Sequence, residues 1–211
     1  GVDHFYLYDN DSPDNQAEVA KPYVEAGLVD YFSAPGKAMQ YAVYNDAVKC
    51  FKFQSRYMAF IDGDEFVYPK VDWGGVIELV DEILSDNPNA GGLAIHWQCF
   101  GSNDLDTADY SKGVLERFTR RAQKDWFVPP NLNDNKAFQG NCYIKDIVNP
   151  RKINFFNDPH TMNYFEGLYS VDENSNLVAG SVPLPVVAEK IVVNHYHIKS
   201  GEEMQQNSDA E

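Results

Sequence analysis

The sequence contains few cysteines, and their spacing excludes the common covalent frameworks. Cys50, Cys99 and Cys142 lie far apart and form no CxxC motif. Neither a disulfide scaffold nor a zinc ribbon is therefore predicted. Widely spaced, unpaired thiols are typical of a reducing compartment, and we expect a cytoplasmic protein.

Long apolar runs are missing as well. No stretch approaches the roughly 18–20 apolar residues that cross a bilayer, so no membrane span is predicted in this segment. No signal peptide is visible. The chain opens at Gly1, without Met and directly in a strand-like run, and we interpret its N-terminus as truncated.

Basic residues are scarce relative to acidic ones. The 211 residues include 17 Lys and Arg against 32 Asp and Glu, which gives a net charge of −15. Such a surface repels phosphate backbones and anionic lipid, so nucleic-acid and membrane-surface binding are disfavoured. A small anionic ligand held through a bridging cation stays compatible with this charge. The 44% hydrophobic content is ordinary for a globular chain, and we predict one domain over residues 1–211.

The apolar pattern alternates strands and helices over the first 85 residues. This order predicts an α/β protein of three layers, with helices on both faces of a mainly parallel sheet. Later segments are less regular, and residues 202–211 are polar and predicted to fray. The predicted strands cover 3–8, 28–32, 57–61, 92–97 and 191–198; the predicted helices cover 19–26, 38–53 and 76–85, with a loop at 131–140.

The most informative segment is the acidic cluster Asp62-Gly63-Asp64-Glu65, which directly follows an apolar strand. Ligands of open α/β sheets bind beyond the carboxyl ends of the strands, where this cluster would emerge. Close carboxylates repel one another unless a cation neutralises them. Oxygen ligands suit Mg²⁺ or Mn²⁺, which are commonly shared with the phosphates of a substrate. We therefore predict a divalent metal at Asp62 and Asp64, oriented by Glu65; a simple solvated turn is the alternative.

Phosphatases of the haloacid-dehalogenase type also carry Asp-x-Asp after a buried strand. They require a small residue shortly after the second Asp, where this chain has Glu65. Their motif also belongs to the first strand, whereas Asp62 follows the third predicted strand. This class is disfavoured.

Several segments, in order along nearly the whole chain, resemble the glycosyltransferase-2-like group related to glycosyltransferase family 92. The resemblance implies a GT-A-like (Rossmann-like) fold, a nucleotide-sugar donor and a divalent metal held by the Asp-x-Asp motif. Members normally begin with one more strand and helix, which nothing before Gly1 supplies; either they precede this segment or the protein is a truncated relative. The matching segments are Gly1–Asn10 with Ser12 and Asp14, Phe60–Phe66, Trp97 with Phe100-Gly101-Ser102, Glu116-Arg117-Phe118, Lys145–Lys152, and Asn194-His195-Tyr196 with Lys199-Ser200.

The resemblance implies a metal-dependent glycosyltransferase of hexosyltransferase type, active in polysaccharide biosynthesis. It would move a sugar from a nucleotide diphosphate donor, with UDP expected, to a carbohydrate acceptor. The alternative, which a truncated first strand and helix would favour, is a degenerate, non-catalytic GT-A domain that binds carbohydrate or a protein partner.

Further polar residues are candidates for the donor site. Asp9 and Asn10 follow the first strand and would recognise the ribose or base of the nucleoside. The alternative is that these two residues, with Asp11 and Asp14, simply form a loop of Asx turns. His195 and His197 alternate on a predicted strand and share one face. In GT-A enzymes a late histidine often completes the metal shell, so His195 is the predicted third ligand. Lys199 would contact the donor phosphates.

An inverting transferase needs a carboxylate that removes the proton of the acceptor hydroxyl. Asp104 and Glu116 are the predicted catalytic candidates, each with a surface carboxylate as the alternative. The remaining candidates are weaker: Asp106 as a base, His160 on the acceptor side, Trp97 and Trp126 as sugar-stacking or core rings, and Gly91, Gly92 and Gly140 as turn residues.

Overall fold

The computed structural model describes residues 1–72, 74–129 and 139–210. Strands and helices alternate at the start of the chain, as predicted. The elements in this part are β1 (Phe5–Asp9), α1 (Gln16–Glu25), β2 (Val29–Ser33), α2 (Gln40–Phe51), β3 (Met58–Ala59), β4 (Glu65–Pro69), α3 (Val76–Asp86) and β5 (Ala90–Cys99).

The second part of the chain forms shorter elements. They are α4 (Val114–Arg117), β6 (Phe127–Val128), β7 (Gln139–Gly140), β8 (Ile144–Val148), a 3-10 turn (Pro150–Lys152), β9 (Ile153–Phe155), β10 (Asn163–Tyr164), β11 (Tyr169–Val171), β12 (Leu177–Val178), β13 (Ile191–His195) and α5 (Gly201–Ala210). The loop predicted at 131–140 lies mostly outside the described residues; its last two residues form β7 and pair with β6.

The prediction of a mainly parallel sheet is wrong. β1 and β2 form a separate parallel pair, and the large sheet of seven strands is mixed. Its central strand, β5, runs parallel to β11 and β13 but antiparallel to β8. β3 also pairs antiparallel with β8, and β4 antiparallel with β13. The local apolar pattern does not encode strand direction. The alternation of strands and helices therefore could not predict which strands pair antiparallel.

The main core lies between α3 and β5. The spacing of Leu79, Val80 and Ile83 directs these side chains to one face of α3, where they pack with Leu93 and Ile95 of β5. All five are buried. This packing fixes β5, whose carboxyl end carries the candidate site.

A second core cluster joins α2 to β3 and β8. Ala47 and Val48 of α2 contact Met58, Phe60 and Val148. The same helix receives the aromatic rings of β1, since Tyr6 stacks on Phe51 with ring centroids 4.0 Å apart. α2 therefore bridges the β1–β2 pair and the large sheet.

Gly91 and Gly92 lie inside β5, so the prediction that they mark a turn is wrong. A Cβ atom on Gly91 would lie 2.2 Å from Cε1 of Tyr164, and one on Gly92 would lie 2.5 Å from Cγ1 of Val148. The glycines are needed because a ring and a neighbouring strand approach the β5 backbone closely.

The polar C-terminal segment forms helix α5, where the sequence predicted a frayed tail. Glu203 is buried on this helix and accepts two hydrogen bonds from the guanidinium of Arg117, at 2.8 and 3.0 Å. The Ser200 hydroxyl donates a third bond at 2.6 Å. An apolar sequence pattern cannot reveal this contact between Glu203, Arg117 and Ser200.

Within the described residues, no helix has both the length and the apolar character needed to cross a bilayer.

Candidate functional site

The Asp62–Asp64 segment forms the tight turn between β3 and β4. The Glu65 amide donates to the Asp62 carbonyl oxygen at 3.1 Å, which closes the turn, and the Tyr196 amide donates to the Asp64 carbonyl oxygen at 3.0 Å. Asp and Gly favour such turns. The second bond ties the acidic turn to the end of β13.

β13 carries the histidines to this turn. Its register with β4 sets His195 opposite Glu65. Beyond the strand, His197 follows, and the two imidazole centroids are 5.5 Å apart. One ligand atom each from Asp64, His195 and His197 lies within 4.8 Å of the others. The two histidines are close together, but His197 lies beyond the strand on which it was predicted, because β13 ends at His195.

His195 is poised to act as a neutral donor ligand. Burial lowers its pKa to about 4, against the opposing effect of Asp64, whose Oδ1 lies 3.7 Å from its Nε2. The imidazole is therefore neutral at pH 7 and keeps a free lone pair. Its Nδ1 is buried and makes no hydrogen bond with any described residue. The ring nitrogen that faces Asp64 is Nε2, so Nε2 is the atom placed to bind a ligand shared with that carboxylate.

Asp62 is turned away from this cluster. Its carboxylate accepts hydrogen bonds from Lys145 Nζ at 3.0 Å and from Gln40 Nε2 at 2.8 Å, and the Tyr44 hydroxyl donates to it at 3.3 Å. The side chain keeps 40% of its surface exposed. The structure thus brings Asp64 and His195 together as predicted, with His197 as the third member of the cluster.

Glu65 is the buried member of the acidic segment. Burial raises its pKa to about 7, although the Lys145 charge acts in the opposite direction. Its carboxylate accepts the Asp62 amide at 2.8 Å and the Trp97 indole N–H at 2.7 Å. Glu65 therefore fixes the backbone of the acidic turn, in agreement with its predicted orienting part.

Lys145 completes the polar cluster, and the sequence analysis did not single it out. Its ammonium lies 3.0 Å from the Pro159 carbonyl oxygen and 3.5 Å from Glu65 Oε2, in addition to the Asp62 contact. Only 2% of the residue is exposed. The available signal was a charged residue inside the apolar run of β8, since buried lysines require partners.

An array of partly buried aromatic rings adjoins the cluster. Trp97 packs against His195 with centroids 3.9 Å apart, and against His160 at 4.9 Å. Tyr143 contacts both Trp97 and His160. Burial lowers the pKa of His160 to about 4, so its ring is neutral. Trp126, the other candidate ring, is partly exposed beside β6.

An open cleft of about 350 Å³ adjoins the acidic turn. Lys199 brings positive charge to it and makes no ion pair within the described part of the chain. The side chain is partly exposed, so the cleft offers both a cation and a carboxylate to a ligand. The lining residues are Gly63, Asp64, Phe66, Val114 and Lys199.

Asp9 and Asn10 hold the loops that follow β1 and β2. Asp9 accepts bonds from the Ser12 amide and the Tyr31 hydroxyl, and these bonds lower its pKa. Asn10 donates to the carbonyl oxygens of Ala34 and Gly36, both at 2.7 Å. Among the described residues, no contact joins Asp9 or Asn10 to the Asp64 cluster.

The two catalytic candidates are both exposed. Asp104 forms an ion pair with Arg120 on the surface. Glu116 accepts the Gly113 amide at 3.1 Å and so caps the short helix α4. Neither contacts the Asp64 cluster in the parts of the chain that the structure describes, and their catalytic part stays a prediction.

The fold and the site together define an α/β protein with an acid–histidine cluster in the wall of an open cleft. The chain belongs to glycosyltransferase family 92, whose family model matches residues 1–207. The predicted resemblance is thereby confirmed, and membership supports glycosyl transfer between a sugar donor and an acceptor. Neither the curated proteins nor the solved structures contain a match to the chain.

Proposed function

We propose that this chain is a metal-dependent glycosyltransferase of GT-A type that takes a nucleotide diphosphate sugar, with UDP as the nucleotide. The donor sugar is transferred to a carbohydrate acceptor. Family membership supports glycosyl transfer. The observation that carries the metal and the diphosphate is the meeting of Asp64, His195 and His197 beside a cleft that also presents Lys199.

The residues fit a divalent cation. One carboxylate oxygen and two imidazole nitrogens form a mixed set that favours Mn²⁺ over Mg²⁺, because Mg²⁺ prefers oxygen ligands. The 3.7 Å separation of His195 Nε2 from Asp64 Oδ1 supports the same conclusion. When bound, the cation would neutralise the diphosphate and stabilise the negative charge that develops on the departing nucleotide. Asp62, predicted as a ligand, is assigned instead to the Lys145 cluster.

Other residues contribute through their own chemistry. Lys199 would bind a diphosphate oxygen, because it is the basic side chain that lines the cleft. Asp9 and Asn10 would recognise the nucleoside, and Asp104 or Glu116 would serve as the base on the acceptor. The Trp97 ring beside His195 supports a sugar-binding surface next to the metal.

Calorimetry of UDP binding with Mn²⁺ and with EDTA tests the proposal. We expect UDP to bind at least roughly tenfold more tightly with Mn²⁺, since one lysine opposite one carboxylate leaves the cleft without the net positive charge that holds a diphosphate. His197→Gln, at an exposed position, should weaken Mn²⁺-dependent binding by roughly tenfold or more. Asp3→Asn, an exposed control, should change nothing.

Equal UDP affinity with and without Mn²⁺ would overturn the metal-dependent function. Hydrolysis of the UDP-sugar separates an enzyme from a non-catalytic relative. Metal-dependent UDP binding without hydrolysis or transfer would instead support the degenerate domain that only binds.

A further inference from the structure

The three donors of the Lys145 ammonium face three acceptors. These are Asp62 Oδ2 at 3.0 Å, the Pro159 carbonyl oxygen at 3.0 Å and Glu65 Oε2 at 3.5 Å. The side chain is almost wholly buried, whereas the Asp62 side chain is 40% exposed. One buried cation therefore occupies two of the three carboxylates that follow β3 in the chain.

Helix α2 reinforces the hold on Asp62. Gln40 Nε2 donates to Asp62 Oδ1 at 2.8 Å, and the Tyr44 hydroxyl donates to the same oxygen at 3.3 Å. Both carboxylate oxygens of Asp62 are thus engaged. Asp64, two residues later, makes no such bond to any residue that the structure describes, and its Oδ1 lies 3.7 Å from His195 Nε2.

We propose that Lys145 is a positioning residue that withholds Asp62 from the metal, so that the cation is held tightly only together with the nucleotide diphosphate. The inference rests on the proposed function and extends it to the coupling between the metal and the donor. It assigns different functions to two aspartates separated only by Gly63: Asp64 binds the metal, and Asp62 is held away from it.

The physical reason lies in the charge of the ligand set. Asp64, His195 and His197 offer a single carboxylate and two neutral rings. Affinity for divalent cations rises with the number of charged ligands, so this set alone binds the cation weakly. Diphosphate oxygens add the missing charge. Because such coupling is reciprocal, the nucleotide must strengthen metal binding by the same factor as the metal strengthens nucleotide binding.

Removal of Lys145 should release Asp62 to the metal. The Asp62 side chain is 40% exposed, so it is not locked in place by packing. A second carboxylate would then join the set. Tighter binding of free Mn²⁺ and a smaller gain from UDP are the expected signs.

A double-mutant cycle with free Mn²⁺, read by electron paramagnetic resonance, tests this. Relative to the wild type, Asp62→Asn should change Mn²⁺ affinity by no more than roughly threefold, whereas Asp64→Asn should abolish binding. Lys145→Met should tighten binding by roughly tenfold. Lys145→Met combined with Asp62→Asn should lose that gain, because it acts through the Asp62 carboxylate.

Three results would overturn the inference. The first is a loss in Asp62→Asn as large as that in Asp64→Asn, which would make Asp62 a ligand. The second is unchanged Mn²⁺ affinity in Lys145→Met. The third is a gain that persists in the double variant, which would reflect only the removal of a positive charge.

A second variant keeps the inference testable if Lys145→Met fails to fold. Lys145→Gln retains a polar side chain but replaces the charged donor to Asp62 by a weaker neutral one. We expect free Mn²⁺ to bind several-fold more tightly here too; unchanged affinity in a folded Lys145→Gln variant would contradict the inference.

The UDP dependence separates this inference from the proposed function. If UDP fails to tighten Mn²⁺ binding to the wild type, both fall. If UDP tightens it in the wild type and by the same factor in Lys145→Met, the proposed function stands and the inference about Lys145 is wrong.

Discussion

Asp146 is a carboxyl group enclosed by the core. Its Oδ1 accepts the Ser170 hydroxyl at 3.0 Å, and that hydroxyl also contacts the Tyr164 hydroxyl at 2.9 Å. Oδ2 has no hydrogen-bond partner among the described residues. Burial raises the pKa of Asp146 to about 7, because the charged form cannot be solvated. The fold therefore favours the protonated acid.

Replacing Asp146 by Asn tests this assignment through pH. The wild type should lose stability relative to Asp146→Asn as the pH rises from 4 to 7, since the unfolded chain ionises near 4 and the folded chain near 7. The difference in unfolding free energy should change by up to about 1.4 kcal/mol per pH unit in that window. Urea unfolding at pH 4 to 8 measures it.

Asp3→Asn serves as the control, because Asp3 is exposed. Its difference from the wild type should stay constant with pH. If the difference in unfolding free energy between the wild type and Asp146→Asn also stayed constant with pH, Asp146 would be charged in the folded protein.

The sequence could predict those site residues whose position follows from a local pattern. Asp64 follows an apolar run, and His195 and His197 are two positions apart at the end of one, so the structure brings all three together, although β13 ends at His195. The function of Lys145 could not be predicted, because its partner Asp62 is 83 positions away. Likewise, Asp62 and Asp64 look equivalent in sequence and differ only in what tertiary packing brings to each.

At the scale of elements, α5 shows how one ion pair can position a helix. Its apolar face is weak, and its anchor is the buried pair of Glu203 with Arg117. Burial opposes ionisation of Glu203, but the bonds from Arg117 and Ser200 outweigh it and lower the pKa to about 2. The anchor lies four residues after Lys199, so the helix also orients one wall of the cleft.

Glu203→Gln should destabilise the chain by about 3 kcal/mol, because Arg117 would remain buried without its counter-charge. Thermal and urea unfolding measure the loss. Hydrogen exchange of the α5 amides should accelerate more than that of β5. Loss of α5 protection alone, without a change in global stability, would show that the helix docks independently.

The matched control is Glu189→Gln, which breaks the exposed ion pair of Glu189 with Lys124. Exposed pairs are screened by solvent, so this change should be much smaller. Equal losses in the two variants would contradict the importance of burial for the Glu203 pair.

Helices were more predictable than strands for a physical reason. The apolar spacing of α3 determines which face is buried, and the predicted and observed bounds differ by a single residue. β3 is only two residues long, although the apolar run around it is longer. Its pairing partner, β8, lies almost ninety positions later, and nothing local specifies that contact. No strand was predicted at the position of β4.

At the scale of the whole molecule, the net charge of −15 sets a repulsive background. Self-repulsion destabilises a compact chain, and salt screens it. Between 0.01 and 0.15 M salt the Debye length falls from about 30 to about 8 Å. Urea unfolding at pH 7 should therefore show higher stability in 0.15 M NaCl.

The same experiment near pH 4.6, where the net charge vanishes, provides the control. The stabilising effect of salt should shrink or disappear there. A loss of stability with salt at pH 7 would mean that local ion pairs outweigh the general repulsion.

The central position of β5 has a consequence for synthesis on the ribosome. This strand is made before its partners β8, β11 and β13, which begin at Ile144, Tyr169 and Ile191. At roughly 5–20 residues per second, translation reaches β13 on the order of ten seconds after β5. During that interval Leu93 and Ile95 lack the sheet in which they are buried. The nascent chain therefore exposes an apolar strand until β13 has been made.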